Sequence, residues 1–200
     1  SRLRALIQNA KAANMPKDNI ERAIKKATEK NTENYKEIIF EGYAPHGIAV
    51  LIEAATDNNN RTVANIRSYF NKAGGNLSTS GSVDFMFEHL CNFRISKNDI
   101  EIEKIEFEFI DYGVEEVFLD DNEIHLYASF DHFGIIQREL ENRNLEIISS
   151  GFERIPQLVK SLNFEKQIEV LDLIEKIEDD MDVQNVYHSL DIKKTKSFLP

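Results

Sequence analysis

The sequence predicts an α+β protein in which a helical N-terminal segment precedes β-rich segments that alternate with helices. Apolar residues recur at helical spacing before residue 35, and two β-rich runs around a turn cluster begin after it. An acidic stretch over 98–150 contains a helix, a hairpin and a second helix of its own. With 200 residues, 42% of them hydrophobic, the chain can bury more than one small core.

Residues 1–34 are predicted to form a helical N-terminal domain made of two short helices. Pro16 separates them, because proline suits the first turn of a helix and not its interior. The apolar face of the first helix comprises Leu3, Leu6, Ile7 and Ala10. The apolar face of the second comprises Ile20, Ala23, Ile24 and Ala27. Both sets follow the i, i+3, i+4, i+7 spacing of an amphipathic helix.

A β-rich pattern begins at about residue 35 and continues to residue 97. Two strands flank the turn cluster at 44–47, and a helix follows whose N-terminus Asn60 can cap. The buried face of that helix is predicted to comprise Val63, Ile66 and Phe70. The chain then returns to a strand over 83–90.

The segment GGNLSTSGS, residues 74–82, connects that helix to that strand. Gly74 and Gly75 end the helix, since glycine accepts the left-handed conformation at a helix C-terminus. A phosphate-cradling loop runs the other way, from strand into helix, and neither a P-loop nor a dinucleotide-binding glycine motif occurs. The segment is interpreted as a helix cap and a polar loop, and contact of its amides with backbone phosphates is the alternative.

The stretch 98–150 is predicted to be an inserted acidic α+β domain. Its hairpin turns at Asp121-Asn122, and a strand over 145–150 closes it. The second helix is predicted to bury Phe133, Ile136 and Leu140. Three Lys/Arg stand against fifteen Asp/Glu, which gives this stretch a net charge of −12.

Residues 151–195 are predicted to complete the sheet that residues 35–97 begin, so that the middle α+β domain consists of two pieces. One strand is expected within 152–163 and another within 183–192. A helix over 164–181 lies between them, and its apolar face is predicted to comprise Ile168, Leu171, Ile174 and Ile177.

Cationic charge is concentrated in the N-terminal helices. Residues 1–34 hold eight Lys/Arg and four Asp/Glu, a net charge of +4, although the whole chain carries −11. A basic segment is the usual electrostatic footprint for phosphate backbones, which an acidic segment repels. The candidate nucleic-acid-binding residues are Arg2, Arg4, Lys11, Lys17, Arg22, Lys25, Lys26, Arg61 and Arg67. The alternative is a solvated face that only complements the helix dipoles.

No catalytic residue, metal site or cofactor is predicted. His89 and Cys91 lie two apart on a predicted strand without a further local ligand, so we expect strand packing there. Asp57 and Arg61 are expected to pair near a helix start, and acidic runs such as 178–180 are interpreted as solvated faces. The single cysteine fits a reducing, cytoplasmic compartment, and no run of about 18 apolar residues predicts a membrane span.

Aromatic residues offer a second route to nucleic acid, since bases stack on exposed rings. Tyr43 follows a glycine beside a turn and is predicted to be exposed, whereas Phe85 and Phe87 lie on a predicted strand with at least one core face. Basic and aromatic residues are not interleaved as in an RRM, so phosphate contact is preferred over base readout.

Three stretches resemble one known family. AANMPKDNIERAIKKA, FEGYAPHGIAVLIEAATDNNNRT and GGNLSTSGSVDFMFE are similar to the YebC family, and the likeness extends to DVQNVYHSLDI. That family includes bacterial proteins described as probable transcriptional regulators and the mitochondrial translational activator of cytochrome c oxidase. The resemblance implies three domains: the helical domain, the middle domain and the inserted acidic domain. The family normally begins with a basic segment absent from this chain, so we expect part of the nucleic-acid surface to lie there.

The leading hypothesis is a non-enzymatic transcriptional regulator that binds DNA through its basic helices. A ribosome-associated translation factor that binds ribosomal or messenger RNA is the first alternative, because it needs the same cationic surface. A protein-binding adaptor whose acidic domain holds a basic protein is the second, and an enzyme with a polar cleft is the third. No membrane partner is expected, and the oligomeric state stays open.

Overall fold

The computed structural model describes residues 2–29 and 35–192, except for the side chains at positions 2, 4, 26, 28 and 29. Within that part of the chain the helices are α1 (Arg2–Ala12), α2 (Lys17–Glu29), α3 (Asn59–Lys72), α4 (Ile102–Phe109), α5 (Phe133–Asn142) and α6 (Phe164–Glu178). The strands are β1 (Lys36–Ala44), β2 (Ile48–Thr56), β3 (Asn76–Leu77), β4 (Phe87–Ser96), β5 (Val114–Asp120), β6 (Glu123–Ser129), β7 (Ile147–Pro156) and β8 (Val183–His188). No helix among the described residues is long and apolar enough to cross a lipid bilayer.

The chain divides into two units, each with its own sheet. One unit comprises Ser1–Asn31 and Glu88–Ile155, and the other comprises Thr32–Phe87 and Pro156–Pro200. We call them the first and second units. The first contains the sheet β5-β6-β4-β7, and the second contains the sheet β3-β1-β2-β8. The predicted mixture of helices with antiparallel sheets is confirmed, whereas the partition into three domains stays a prediction.

The first unit repeats a strand–helix–strand pattern twice. Its elements run β4, α4, β5, β6, α5, β7, and β6 pairs antiparallel with both β4 and β5. This order and sheet arrangement are those of the split βαβ, or ferredoxin-like, motif. Side chains of α4 and α5 pack with one face of the sheet in a single core that includes Phe93, Phe109, Leu126, Ile136 and Leu140.

The strand that follows the glycine-rich loop belongs to the first unit and not to the middle domain predicted for 35–97. Strand β4 pairs with β6 from Leu90↔Ser129 to Ser96↔Glu123. Its alternation places Cys91, Phe93 and Ile95 in the core of that unit. Strand β7 is likewise one continuous strand across the boundary predicted at 150/151, and the strand expected within 152–163 is its end. Alternation predicts a strand, but it does not specify the pairing partner.

Helix α1 packs against the rest of the first unit through a different face from the predicted one. Leu3 and Leu6 are 55% and 58% exposed, whereas Ala5 is buried. One turn further on, the Asn9 side chain donates to the backbone oxygen of Ser150 at 2.8 Å and accepts from its N–H at 3.0 Å. The buried face of α1 therefore includes Ala5 and Asn9, which are four positions apart. The polar side chain of Asn9 completes the backbone hydrogen bonds of β7 at Ser150.

The second unit is organised around the β1–β2 hairpin, whose register runs from Lys36↔Thr56 to Ala44↔Ile48. Strand β8 pairs with the other edge of β2, as the sequence predicts for 183–192. Strand β2 is apolar on both faces because both are covered. One face packs in a core with side chains of α3 and α6, and the other packs against Val83 and Phe87.

The two helices of the second unit are capped by asparagines. Asn58, and not the predicted Asn60, caps α3, because its Oδ1 accepts from the Arg61 N–H at 3.1 Å. Asn163 caps α6 by accepting from the Lys166 N–H at 3.0 Å. At the end of α3, Gly74 has φ +79°, so the predicted left-handed helix end is confirmed.

Candidate nucleic-acid interface

The predicted cationic surface lies on α1 and α2, and four of its side chains are described there. Lys11, Lys17, Arg22 and Lys25 are exposed, while the side chains of Arg2, Arg4 and Lys26 lie outside the described residues. Arg22 and Lys25 are three positions apart on α2, so they are neighbours on its surface. Ile20 is buried on the opposite side of the helix. Arg22 and Lys25 thus lie on a solvent-facing surface of α2, and Lys11 is exposed on α1.

Neighbouring acids compensate Lys11, Lys17 and Arg22 only weakly. Lys17 Nζ lies 3.6 Å from Glu21 Oε1, and both side chains are mostly exposed. Such a surface pair contributes little, because water and salt screen it. Lys11 and Arg22 form no ion pair with any other described residue. The charges of Lys11 and Arg22 are therefore available to an anionic partner.

Arg61, by contrast, is held within the second unit. Its guanidinium Nη2 lies 2.8 Å from Asp182 Oδ1 and 3.1 Å from Asp57 Oδ1, so the predicted Asp57 pair is confirmed. Two acids therefore compensate this cation, and Asp182 is buried. Arg61 was predicted to contact phosphate, but its geometry fits a structural role, since a buried carboxylate needs a counter-charge.

Asp182 is the centre of a polar network that the sequence does not predict. It accepts hydrogen bonds from the Thr62 hydroxyl at 2.7 Å and from the Thr56 hydroxyl at 3.2 Å, in addition to Arg61. Burial acts to raise the pKa of Asp182, but the bonds from Thr62 and Arg61 outweigh it and hold the pKa below its usual value. The network joins the start of α3 to the turn before β8.

The neighbouring Asp180 corrects the interpretation of 178–180 as a solvated acidic face. It is buried and accepts from the Asn65 amide at 3.1 Å and from the Tyr69 hydroxyl at 2.9 Å. Both donors lie on α3, more than a hundred positions earlier in the chain. The local density of charge could not reveal these partners. A weak signal was the spacing of Asn65 and Tyr69, which are four positions apart and therefore on the same side of α3.

Arg67 differs from Arg61 although both lie on α3. Its side chain is exposed and forms no ion pair with any other described residue. Two residues of the second unit were predicted to bind nucleic acid. Of these, Arg67 keeps its charge available, whereas Arg61 does not.

Backbone amides at the end of the glycine-rich loop and just after it bind an anion that belongs to the chain itself. The buried Glu41 carboxylate accepts from the N–H groups of Gly81, Val83 and Asp84 at 2.6, 2.7 and 2.8 Å. Burial acts to raise the pKa of Glu41, but these three backbone donors outweigh it and lower the pKa. Because Glu41 already occupies these amides, they are not available to a backbone phosphate.

The aromatic side chains near this loop are mostly packed. Tyr43 is half-buried and donates to the Ser82 carbonyl at 3.2 Å, so the prediction that it is exposed is wrong. Phe87 is buried, whereas Phe85 is 69% exposed on a 3₁₀ turn over Asp84–Met86 that replaces the first part of the predicted strand. A stack of bases on several rings at this place has no support in the geometry.

Among the described residues, no group of three or more His, Cys, Asp or Glu side chains is arranged to hold a metal ion. The His89 ring stacks on Phe130 with a centroid distance of 4.0 Å. Burial raises the pKa of the Cys91 thiol to about 12, so it is protonated at neutral pH and packs as a small apolar residue.

Comparisons with known proteins agree with the fold. A solved structure titled a conserved hypothetical protein Aq1575 from Aquifex aeolicus superposes with a TM-score of 0.73. The two chains share 34% sequence identity, and the match covers 98% of this chain and 82% of that one. At this identity, the similarity concerns sequence as well as architecture.

Relatives and family models extend the likeness along the chain. A probable transcriptional regulatory protein of Flavobacterium johnsoniae is 67% identical over 190 residues, which is 95% of this chain and 80% of that protein. A protein of the same name from Porphyromonas gingivalis is 54% identical over 190 residues, or 94% and 78% of the two chains. The model of the TACO1/YebC N-terminal domain matches residues 1–30, and the model of the second and third domains matches residues 35–190. The chain therefore belongs to the TACO1/YebC family.

Proposed function

We propose that this protein regulates gene expression by associating with nucleic acid through the exposed cations of α1 and α2, without a catalytic step of its own. The observation that carries the proposal is that Lys11 and Arg22 are exposed and uncompensated on a segment of net charge +4. The names of the relatives, probable transcriptional regulatory proteins, support the regulatory part.

The mechanism rests on contact with phosphates. Lys and Arg side chains that neutralise phosphates release condensed counterions, which supplies affinity without sequence readout. Arg22 and Lys25 can contact neighbouring phosphates because they lie on one surface of α2. Arg67 is a candidate for a further contact, whereas Arg61 is withdrawn from the proposed surface because Asp182 and Asp57 hold its guanidinium.

Duplex DNA is the first proposed target, in agreement with the names of the relatives. The ribosome is the second, and one observation favours it. The stretch 98–150 carries a net charge of −12, three Lys/Arg against fifteen Asp/Glu, which suits basic ribosomal proteins and opposes coating of naked DNA. Either target requires the same cationic helices.

The salt dependence of binding tests the cationic surface. We expect the double variant Arg22→Gln/Lys25→Gln to bind more weakly to duplex DNA or to purified ribosomes. For DNA, its slope of log K against log salt should be shallower by nearly two, because each lost phosphate contact removes about 0.9. Lys176→Gln, which removes an exposed cation from α6, is the matched control and should leave the slope unchanged.

Single substitutions on α3 distinguish Arg67, whose charge is available, from Arg61, which pairs with Asp182 and Asp57. Arg67→Gln should lower the slope by about one if it contacts phosphate, while Arg61→Gln should lower the stability of the second unit and leave the slope unchanged. Identical slopes for the parent and the α2 double variant on both targets would disprove the proposal. Cross-linking in cells, followed by sequencing of the bound DNA and RNA, then distinguishes promoters from ribosomes.

A further inference from the structure

The sheet of the first unit packs against α4 and α5 on one face, and the residues described on its other face are exposed or half-buried. Along β6, Ile124, Leu126 and Ala128 point into the core beneath α4 and α5. His125 and Tyr127 alternate with them and therefore point away from that core.

The neighbouring strand completes this face. In the β5–β6 register, Phe118 lies opposite His125 and Glu116 lies opposite Tyr127. On the other side of β6, Glu153 of β7 reaches the same face, since it accepts from the Asn92 amide and from the Tyr127 hydroxyl. We call Glu116, Phe118, His125, Tyr127 and Glu153 the open sheet face.

Three aromatic rings form a row on the open sheet face. The Phe118 ring lies 4.9 Å from His125 and 6.0 Å from Tyr127 between centroids, with interplanar angles of 12° and 14°. Phe118 is 38% exposed, so part of this row contacts solvent. Near-parallel rings with an exposed member provide a flat platform for a planar group.

The charges around the row are negative. Glu116 is exposed and forms no ion pair with any other described residue. The neighbouring cation, Arg94, is held by Glu123 at 2.5 Å and is not available to compensate Glu116. Burial, followed by the charge of Glu153, raises the pKa of Tyr127, so its hydroxyl stays protonated at neutral pH. The platform therefore carries the carboxylates of Glu116 and Glu153, and the cation beside it, Arg94, is paired with Glu123.

We propose that the open sheet face binds an arginine-bearing segment of a basic protein. A guanidinium is planar, stacks on aromatic rings and pairs with carboxylates, and these are the groups that the face presents together. A nucleobase could also stack on the rings, but its phosphates would meet the carboxylates of Glu116 and Glu153, and the nearby Arg94 is already paired with Glu123. The net charge of −12 over 98–150 favours the same cationic partner and speeds its approach.

Binding of a labelled peptide to the full chain tests this inference. The probe is a fluorescein-labelled peptide of alternating arginine and glycine, and the measurement is fluorescence anisotropy at physiological salt. We expect a lysine–glycine peptide of equal length and charge to bind several-fold more weakly, because an ammonium does not stack as a guanidinium does. Glu116→Gln and Phe118→Leu should each weaken binding of the arginine peptide about threefold, and together about tenfold.

Glu106→Gln is the matched control, since it removes one exposed carboxylate from α4, on the helical side of the same unit. It should leave the affinity of the arginine peptide nearly unchanged. Equal effects of Glu106→Gln and Glu116→Gln would mean that net charge alone attracts the peptide, and the inference would be overturned. A second outcome would also overturn the inference. In it, the Glu116→Gln and Phe118→Leu variants bind labelled oligo-uridine more weakly than the parent does, but bind the arginine peptide as well as the parent does.

Discussion

At the scale of single residues, Glu41 anchors the end of the glycine- and serine-rich loop to β1. The backbone N–H groups of Gly81, Val83 and Asp84, at the end of the loop and just after it, converge on the one buried carboxylate of Glu41 in β1. Gly42, the next residue, has no room for a side chain, because a Cβ there would lie 2.6 Å from the Asn76 carbonyl. Glu41 and Gly42 together hold the loop close against the edge of the second sheet.

We predict that Glu41→Gln destabilises the second unit by about 2–3 kcal/mol at pH 7, because bonds from backbone amides to a charged acceptor are stronger than those to a neutral one. The pKa of Glu41 is lowered from 4.5 in the folded protein, so its contribution is complete above about that pH and is lost as the pH falls through the lower folded value. Urea unfolding between pH 7 and pH 3 measures this difference. A difference between parent and variant that is the same at every pH would contradict it.

At the scale of secondary-structure elements, α6 shows how packing selects one face of a largely apolar helix. The sequence predicts a face of Ile168, Leu171, Ile174 and Ile177, and the last two are buried as expected. Val170 and Leu173 are also buried, whereas Ile168 is 42% exposed. The helix has apolar residues over a wide arc, so the position of the sheet and of α3 decides which of them enter the core.

Two substitutions on α6 test which of its apolar residues enter the core. Leu173→Ala should lower the free energy of unfolding by about 2–4 kcal/mol, because it leaves a cavity in a closely packed core. Ile168→Ala should cost less than about 1 kcal/mol, since its side chain is already partly solvated. Denaturant unfolding of both variants measures the two free energies. A larger loss of unfolding free energy for Ile168→Ala than for Leu173→Ala would mean that α6 buries the face that the sequence predicts.

At the scale of the whole molecule, the two units have separate cores. Ile136 and Leu126 belong to the core of the first unit, whereas Ile52 and Leu173 belong to that of the second. Charge is also unevenly distributed along the chain, with +4 over 1–34 and −12 over 98–150. The proposed nucleic-acid surface and the open sheet face therefore involve segments of opposite sign.

Separate cores predict that a cavity in one unit loosens that unit more than the other. Ile136→Ala should accelerate amide hydrogen exchange mainly in peptides from 88–155, and Leu173→Ala mainly in those from 32–87 and 156–192. Hydrogen exchange followed by mass spectrometry resolves the two sets of peptides. If either variant accelerated both sets equally, the two cores would unfold as one cooperative structure.

The sequence alone predicted the α+β class, most element positions, the hairpin turn at 121–122 and the helix end at Gly74, because these depend on local periodicity and on backbone preferences of glycine, proline and asparagine. It also identified the family through motifs, each of which is a contiguous stretch of the chain.

The tertiary structure decided which strands share a sheet, which residues of α1 and α6 are buried, and which charges are already paired. Arg61 and Arg67 have the same charge and lie six positions apart on one helix, yet only Arg61 meets a buried acid, Asp182, that lies 121 positions further along the chain. Glu41 likewise finds its donors 40 to 43 positions away. Local patterns determine secondary structure because their causes act within a few residues, whereas burial and charge pairing depend on contacts that exist only after distant segments have packed.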